Sequence, residues 1–182
     1  KAFQIVSEMP DMKYLQIFSH IITCLVEGEF MQMEDVYRID QGIERYMIKT
    51  QKKTADFMEG CMELGGLLGG WSESEIVELK KYGHALGMAF QITDDIMDYR
   101  ETIETTGKPV GNDLREGLLT YPLLSIVNDD NKDRLLADIK ALNNGGNEQD
   151  IIDYVIAQGG IDNTLAVADQ YCKDALAALD AV

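Results

Sequence analysis

The 182-residue chain carries 32 Asp and Glu against 16 Lys and Arg, a net charge of −16, with 46% apolar residues. That length and apolar content fit one domain with its own core. With no basic stripe the sequence excludes a nucleic-acid surface, and so acidic a chain repels phosphorylated ligands unless a metal ion or local lysines intervene.

Cys24, Cys61 and Cys172 are widely spaced and form no CxxC or Cys/His zinc pattern, so reduced thiols and a cytoplasmic location are expected. His20 and His84 stand alone, and each reads as packing or surface rather than ligand. No apolar run approaches the ~20 residues of a membrane span, and no signal peptide is visible, so stable membrane insertion is not expected.

Taken in chain order, the apolar spacing is helical almost throughout. Pro10-Asp11 is a start signal for a helix from Met12 to about Met33, with Tyr14, Phe18, Ile21, Leu25, Gly28 and Gln32 on one face. A second long helix is predicted from about Asp40 to Leu68, with Ile43, Met47, Thr50, Thr54, Phe57, Cys61, Leu64 and Leu68 as its stripe. Ser72 and Glu75 have capping-box spacing and open a helix that runs to about Arg100. Its predicted stripe is Ile76, Leu79, Gly83, Leu86, Gly87, Phe90, Asp94 and Met97; glycines inside a soluble helix suggest a close neighbour. Residues 101–117 read as a long glycine-containing loop, itself a functional hint. Shorter helices are predicted from Leu118 or Leu119 to Val127, then over Lys132–Leu142, Glu148–Ala157 and Thr164–Leu179.

The chemistry concentrates in Phe90-Gln91-Ile92-Thr93-Asp94-Asp95-Ile96-Met97-Asp98, a DDxxD pattern inside a helix. Asp94 and Asp98 are four apart and Asp95 and Asp98 three apart, so the carboxylates share a face and repel one another. Asp94 is also expected on the apolar stripe, where an unpaired carboxylate costs several kcal/mol. A divalent cation removes both difficulties. An all-oxygen donor set favours magnesium over zinc. Gly107-Lys108-Pro109-Val110-Gly111-Asn112-Asp113-Leu114-Arg115-Glu116-Gly117 comes closely after, offering backbone N–H groups and a lysine to an anion. Lys53-Thr54 and Glu29/Gln32 gain weight only from this combination.

FQITDDIMDY, GKPVGNDLREG and TYPLL, with EGEFMQ and Lys53-Thr54-Ala55 upstream, resemble the trans-isoprenyl (polyprenyl) diphosphate synthase family over nearly the whole chain. The resemblance implies an all-α bundle of long antiparallel helices around a deep apolar pocket. It implies a prenyltransferase that condenses an allylic diphosphate with isopentenyl diphosphate. Asp94, Asp95 and Asp98 are then the metal residues, with Mg2+ as cofactor and Asp94 as principal ligand. Gln91, Lys53 and Lys108 contact the diphosphate, and Thr54, Gln32 and Phe90 line the substrate. Asp94, Asp95, Lys53 and Lys108 are the expected catalytic set, and a homodimer, or else a heterodimer, the expected assembly.

Two departures stand out. The family carries another DDxxD in its N-terminal half; Asp129-Asp130-Asn131-Lys132-Asp133, the nearest candidate here, lacks apolar flanks. The chain is therefore expected to be the C-terminal portion of a single polyprenyl synthase domain, inactive alone. The family's EGK is here Glu116-Gly117-Leu118, so a diphosphate-contacting lysine is missing. That leaves a non-catalytic partner subunit of a heteromeric synthase as the rival reading.

Overall fold

A computed structural model describes residues 1–100 and 111–182, and these are helical without any β-strand. The helices are α1 (Ala2–Ser7), α2 (Met12–Glu34), α3 (Gly42–Thr50), α4 (Asp56–Leu68) and α5 (Glu73–Arg100). After the undescribed segment come α6 (Asn112–Glu116), α7 (Tyr121–Leu124), α8 (Lys132–Ala141), α9 (Glu148–Ala157) and α10 (Gly160–Leu179). The chain divides into two compact units, one of residues 1–30, 49–89 and 169–182, the other of residues 31–48 and 90–168.

Local chemistry sets the helix starts. Asp11 Oδ1 accepts from the Lys13 N–H at 2.8 Å and opens α2. At α5 the capping box closes reciprocally: the Ser72 N–H donates to Glu75 Oε2 at 2.7 Å and the Glu75 N–H to Ser72 Oγ at 3.4 Å. Asn147 caps α9 by accepting from the Gln149 N–H. Asn131, from the spare acidic run, is buried and donates to the Ile126 carbonyl at 2.9 Å, so that run shapes the start of α8.

In the first unit, Ile21, Cys24, Ala55, Ile76, Ala85 and Met88 are core. The long helix predicted from Asp40 to Leu68 is interrupted by a π turn, Gln51–Ala55. A π turn holds one more residue than an α turn and rotates the remainder of the helix by about 100°. Phe57, Cys61 and Leu68 are consequently exposed, and Gly60 and Gly66 are buried in their place. The turn is gripped by two glycines. A Cβ on Gly28 would lie 2.7 Å from the Lys53 nitrogen, and one on Gly87 would lie 2.6 Å from Ala55 Cα.

In the second unit, Ile92, Leu114, Leu123, Leu135, Ile139 and Val155 are fully buried. Asp35 is also buried, and Arg45 Nε donates to its Oδ1 at 2.6 Å while Arg38 lies at 3.6 Å. Arg45→Ala removes the shorter of these two pairs and is expected to destabilise the second unit, read as a lower denaturant midpoint at unchanged m-value.

The α5 stripe differs from the expected one. Ile76, Gly83 and Gly87 are buried as expected, but Phe90 is 56% exposed and Asp94 and Met97 are exposed too. The covered face of this segment is Ile92, Asp95, Ile96 and Tyr99, one position round the helix.

Candidate active site

The three aspartates lie in three environments. Asp94 is exposed, with Gln91 Nε2 at 3.5 Å. Asp95 is 4% exposed; its Oδ2 accepts from the Tyr46 hydroxyl at 2.5 Å and its Oδ1 from Gln91 Nε2 at 3.0 Å. Asp98 is intermediate, its Oδ1 accepting from the Asn112 N–H at 3.0 Å and its Oδ2 from the Asp113 N–H at 3.1 Å. It therefore binds the first turn of α6 to the motif, and its own carbonyl accepts from the Gly111 N–H. Arg115, on α6, pairs with Glu148 of α9. Residues 101–117, predicted as loop, thus include a short helix where they are described.

Electrostatics follow from this crowding. Burial pushes the Asp95 carboxyl up to about 6, against the opposing hydrogen bonds from Tyr46 and Gln91. Burial, then the charges of Asp98, Asp95 and Asp94, pushes Asp113 up to about 7. Asp98 is also raised by burial, with the Asp113 and Asn112 N–H groups opposing. Between about pH 4 and pH 6 the folded state thus keeps protons on Asp95 and Asp113 that the unfolded chain releases. Stability from this source is present at low pH and is lost as pH rises toward 7. Thermal unfolding in EDTA is expected to show a lower midpoint at pH 8 than at pH 5.5, by on the order of 2 kcal/mol. Asp113→Asn should flatten that slope.

Of the other predicted residues, Gln32 is partly buried and Phe90 exposed in the same unit as the aspartates. Lys53 and Thr54 belong to the other unit and sit on the π turn, with Lys53 Nζ 3.0 Å from Glu29 Oε2. Lys108 lies outside the described residues. Sequence reasoning missed Tyr46, whose hydroxyl meets Asp95 across 49 positions and whose ring packs edge-on to Tyr121 at 5.6 Å. It also gave no role to Asp113, although Asp113 belongs to the glycine- and lysine-bearing segment after the motif.

The polyprenyl synthetase family model matches residues 1–158. The chain belongs to the polyprenyl synthetase family. It is 32% identical to the octaprenyl diphosphate synthase of Escherichia coli (strain K12), over 98% of this chain and 56% of that protein. It is 31% identical to the heptaprenyl diphosphate synthase component 2 of Geobacillus stearothermophilus, over 99% of this chain and 56% of that protein. The chain therefore spans little more than half the length of these curated relatives. Among solved structures, a polyprenyl synthase from Caulobacter crescentus CB15 complexed with calcium and isoprenyl diphosphate superposes with a TM-score of 0.85. That match is 30% identical and covers 98% of this chain and 56% of the other. The geranylgeranyl pyrophosphate synthase of Lactobacillus brevis gives 0.86 at 28% identity, covering 99% of this chain and 56% of that one. The all-α fold is thus that of isoprenyl diphosphate synthases. No helix among the described residues of this polyprenyl synthetase homologue is long and apolar enough to cross a membrane.

Proposed function

We propose that the chain is the C-terminal portion of a single polyprenyl synthase domain. The full-length protein, in the cytoplasm and as a homodimer, then condenses an allylic diphosphate with isopentenyl diphosphate to lengthen a prenyl chain. One observation carries the reading: Asp95 and Asp98 are fixed by Tyr46, Gln91 and two backbone N–H groups, while Asp94 is left accessible on the same helix. The donors are all carboxylate oxygens, and the burial that raises Asp95, Asp98 and Asp113, with the charge of neighbouring carboxylates added, is what a divalent cation offsets. These features fit magnesium. Asp94 would be its principal ligand, with Asp95 and Asp98 acting on bound waters or as further ligands. When bound, the ion would stabilise charge developing on the departing diphosphate.

The chain's own groups do the rest. Gln91 holds Asp95 and reaches toward Asp94, so it can present its amide to a diphosphate oxygen. Lys53 and Lys108 keep the diphosphate contacts that the family motif gives them, and Thr54, Gln32 and Phe90 line the reacting chain.

The chain as given is expected to show no turnover by itself. The test uses the full-length protein with radiolabelled isopentenyl diphosphate, magnesium and allylic primers of increasing length. Formation of a longer prenyl product supports the reading; no product with any primer overturns it. The second reading, a non-catalytic subunit of a heteromeric synthase, draws on Leu118 at the position of the family lysine. Activity that appears only on mixing with a second synthase chain would favour it.

A further inference from the structure

We propose that Asp56 and Glu59 of α4 and His84 of α5 form a binding site for a divalent transition-metal ion of the zinc class. The site is independent of the aspartate motif. The ligating atoms of all three side chains lie within 4.8 Å of one another. His84 Nδ1 is 3.4 Å from Glu59 Oε2. Two atoms each about 2.0–2.1 Å from one ion at a tetrahedral angle are about 3.4 Å apart, so this pair already has ligand spacing. Asp56 and Glu59 are three apart on one helix and share a face. The two helices touch at this level: a Cβ on Gly83 would sit 2.8 Å from the Met58 carbonyl oxygen and 2.9 Å from Glu59 Cα.

The surroundings supply charge, support and access. Lys80 Nζ lies 3.5 Å from Glu59 Oε1 but 2.8 Å from Glu63 Oε2, so its charge is spent mainly on Glu63. Gln51 Nε2 donates to Asp56 Oδ1 at 3.3 Å and steadies that carboxylate. A 250 Å³ cavity lined by His20, Asp56 and Glu59 and a 690 Å³ cavity lined by Glu59, Lys80 and His84 both border the cluster. The chain has two histidines, and both border these cavities. Cys24 Sγ is 3.6 Å from His20 Nε2 and also interacts with Asp56. A mixed imidazole and carboxylate set suits zinc, cobalt or manganese better than magnesium, which favours oxygen alone. Since Asp56 directly follows the π turn, a bound ion would brace the segment that carries Lys53 and Thr54. The sequence had His84 as packing or surface; its place opposite Glu59 comes from the approach of α4 to α5.

The full-length protein, stripped with EDTA, is titrated with Co2+ and then with Zn2+ or Mg2+. One equivalent of Co2+ should give a visible d–d band in the wild type and in Asp94→Asn/Asp98→Asn. Zn2+ should bleach the band and excess Mg2+ should not. His84→Gln should weaken binding by at least about tenfold. Equal binding by His84→Gln, or no visible band in the Asp94/Asp98 double variant, overturns the proposal: the cluster is then only an ion-paired network. Should His84→Gln fail to fold by circular dichroism, the double variant's spectrum decides alone. These readouts do not depend on prenyl transfer.

Discussion

Asp94→Ala in the full-length protein is expected to reduce prenyl transfer by at least about a hundredfold, equivalent to about 2.7 kcal/mol of transition-state stabilisation. The thermal midpoint without ligand should stay within about 0.5 kcal/mol of wild type, because an exposed side chain leaves no cavity and orphans no buried donor. Stabilisation by magnesium with inorganic diphosphate should vanish with it. Tyr46→Phe gives the contrasting signature. It removes a 2.5 Å hydrogen bond from a buried carboxylate, so it should lower stability above pH 6 while leaving the Asp94 oxygens in place. Steady-state turnover and calorimetry on the same preparations separate the two. An Asp94→Ala enzyme with normal turnover would remove the aspartate motif from the chemistry.

Gly87→Val is expected to produce a large loss of stability in the first unit, about 3 kcal/mol or more and roughly 10 °C in midpoint. Its new Cβ would be 2.6 Å from Ala55 Cα, and backbone cannot swing away as a side-chain tip can. Gly28→Val should behave likewise, since its Cβ would press on the Lys53 nitrogen at 2.7 Å. Both changes push on the π turn, Gly28 from α2 and Gly87 from α5, and on the roles proposed for Lys53 and Thr54 activity should fall further than stability alone predicts. Gly65→Ala is the control: nothing lies within 4 Å of its Cβ, and the gain in helix propensity should stabilise α4 by up to about 1 kcal/mol.

These glycines show what the sequence made legible. Interior glycines in a soluble helix signalled a close neighbour, and at Gly87 the neighbour is the π turn. The start of α5 was readable because both capping partners lie within four residues. The π turn itself was not readable: Thr50, Thr54 and Phe57 continue the helical spacing, and one inserted residue leaves the pattern intact while turning its far half outward. On α5 two apolar stripes compete, and periodicity cannot say which one the rest of the chain covers. It chose Phe90, Asp94 and Met97, whereas packing chose Ile92, Asp95 and Tyr99. Helix α6 escaped because five residues between Gly111 and Gly117 are too few to show a period. The DDxxD spacing located the acidic cluster, but the separate jobs of its carboxylates depend on Tyr46, Asn112 and Asp113, which only folding brings there.

The three thiols carry a practical corollary. Cys61 and Cys172 are exposed, whereas burial, with Asp56 nearby, lifts the buried Cys24 thiol to about 11. Among these 182 residues, maleimide at neutral pH should therefore give two adducts in the folded state, at Cys61 and Cys172, and a third, at Cys24, only after denaturation. The third adduct becomes a mass-spectrometric clock for opening of the first unit, with no engineered probe.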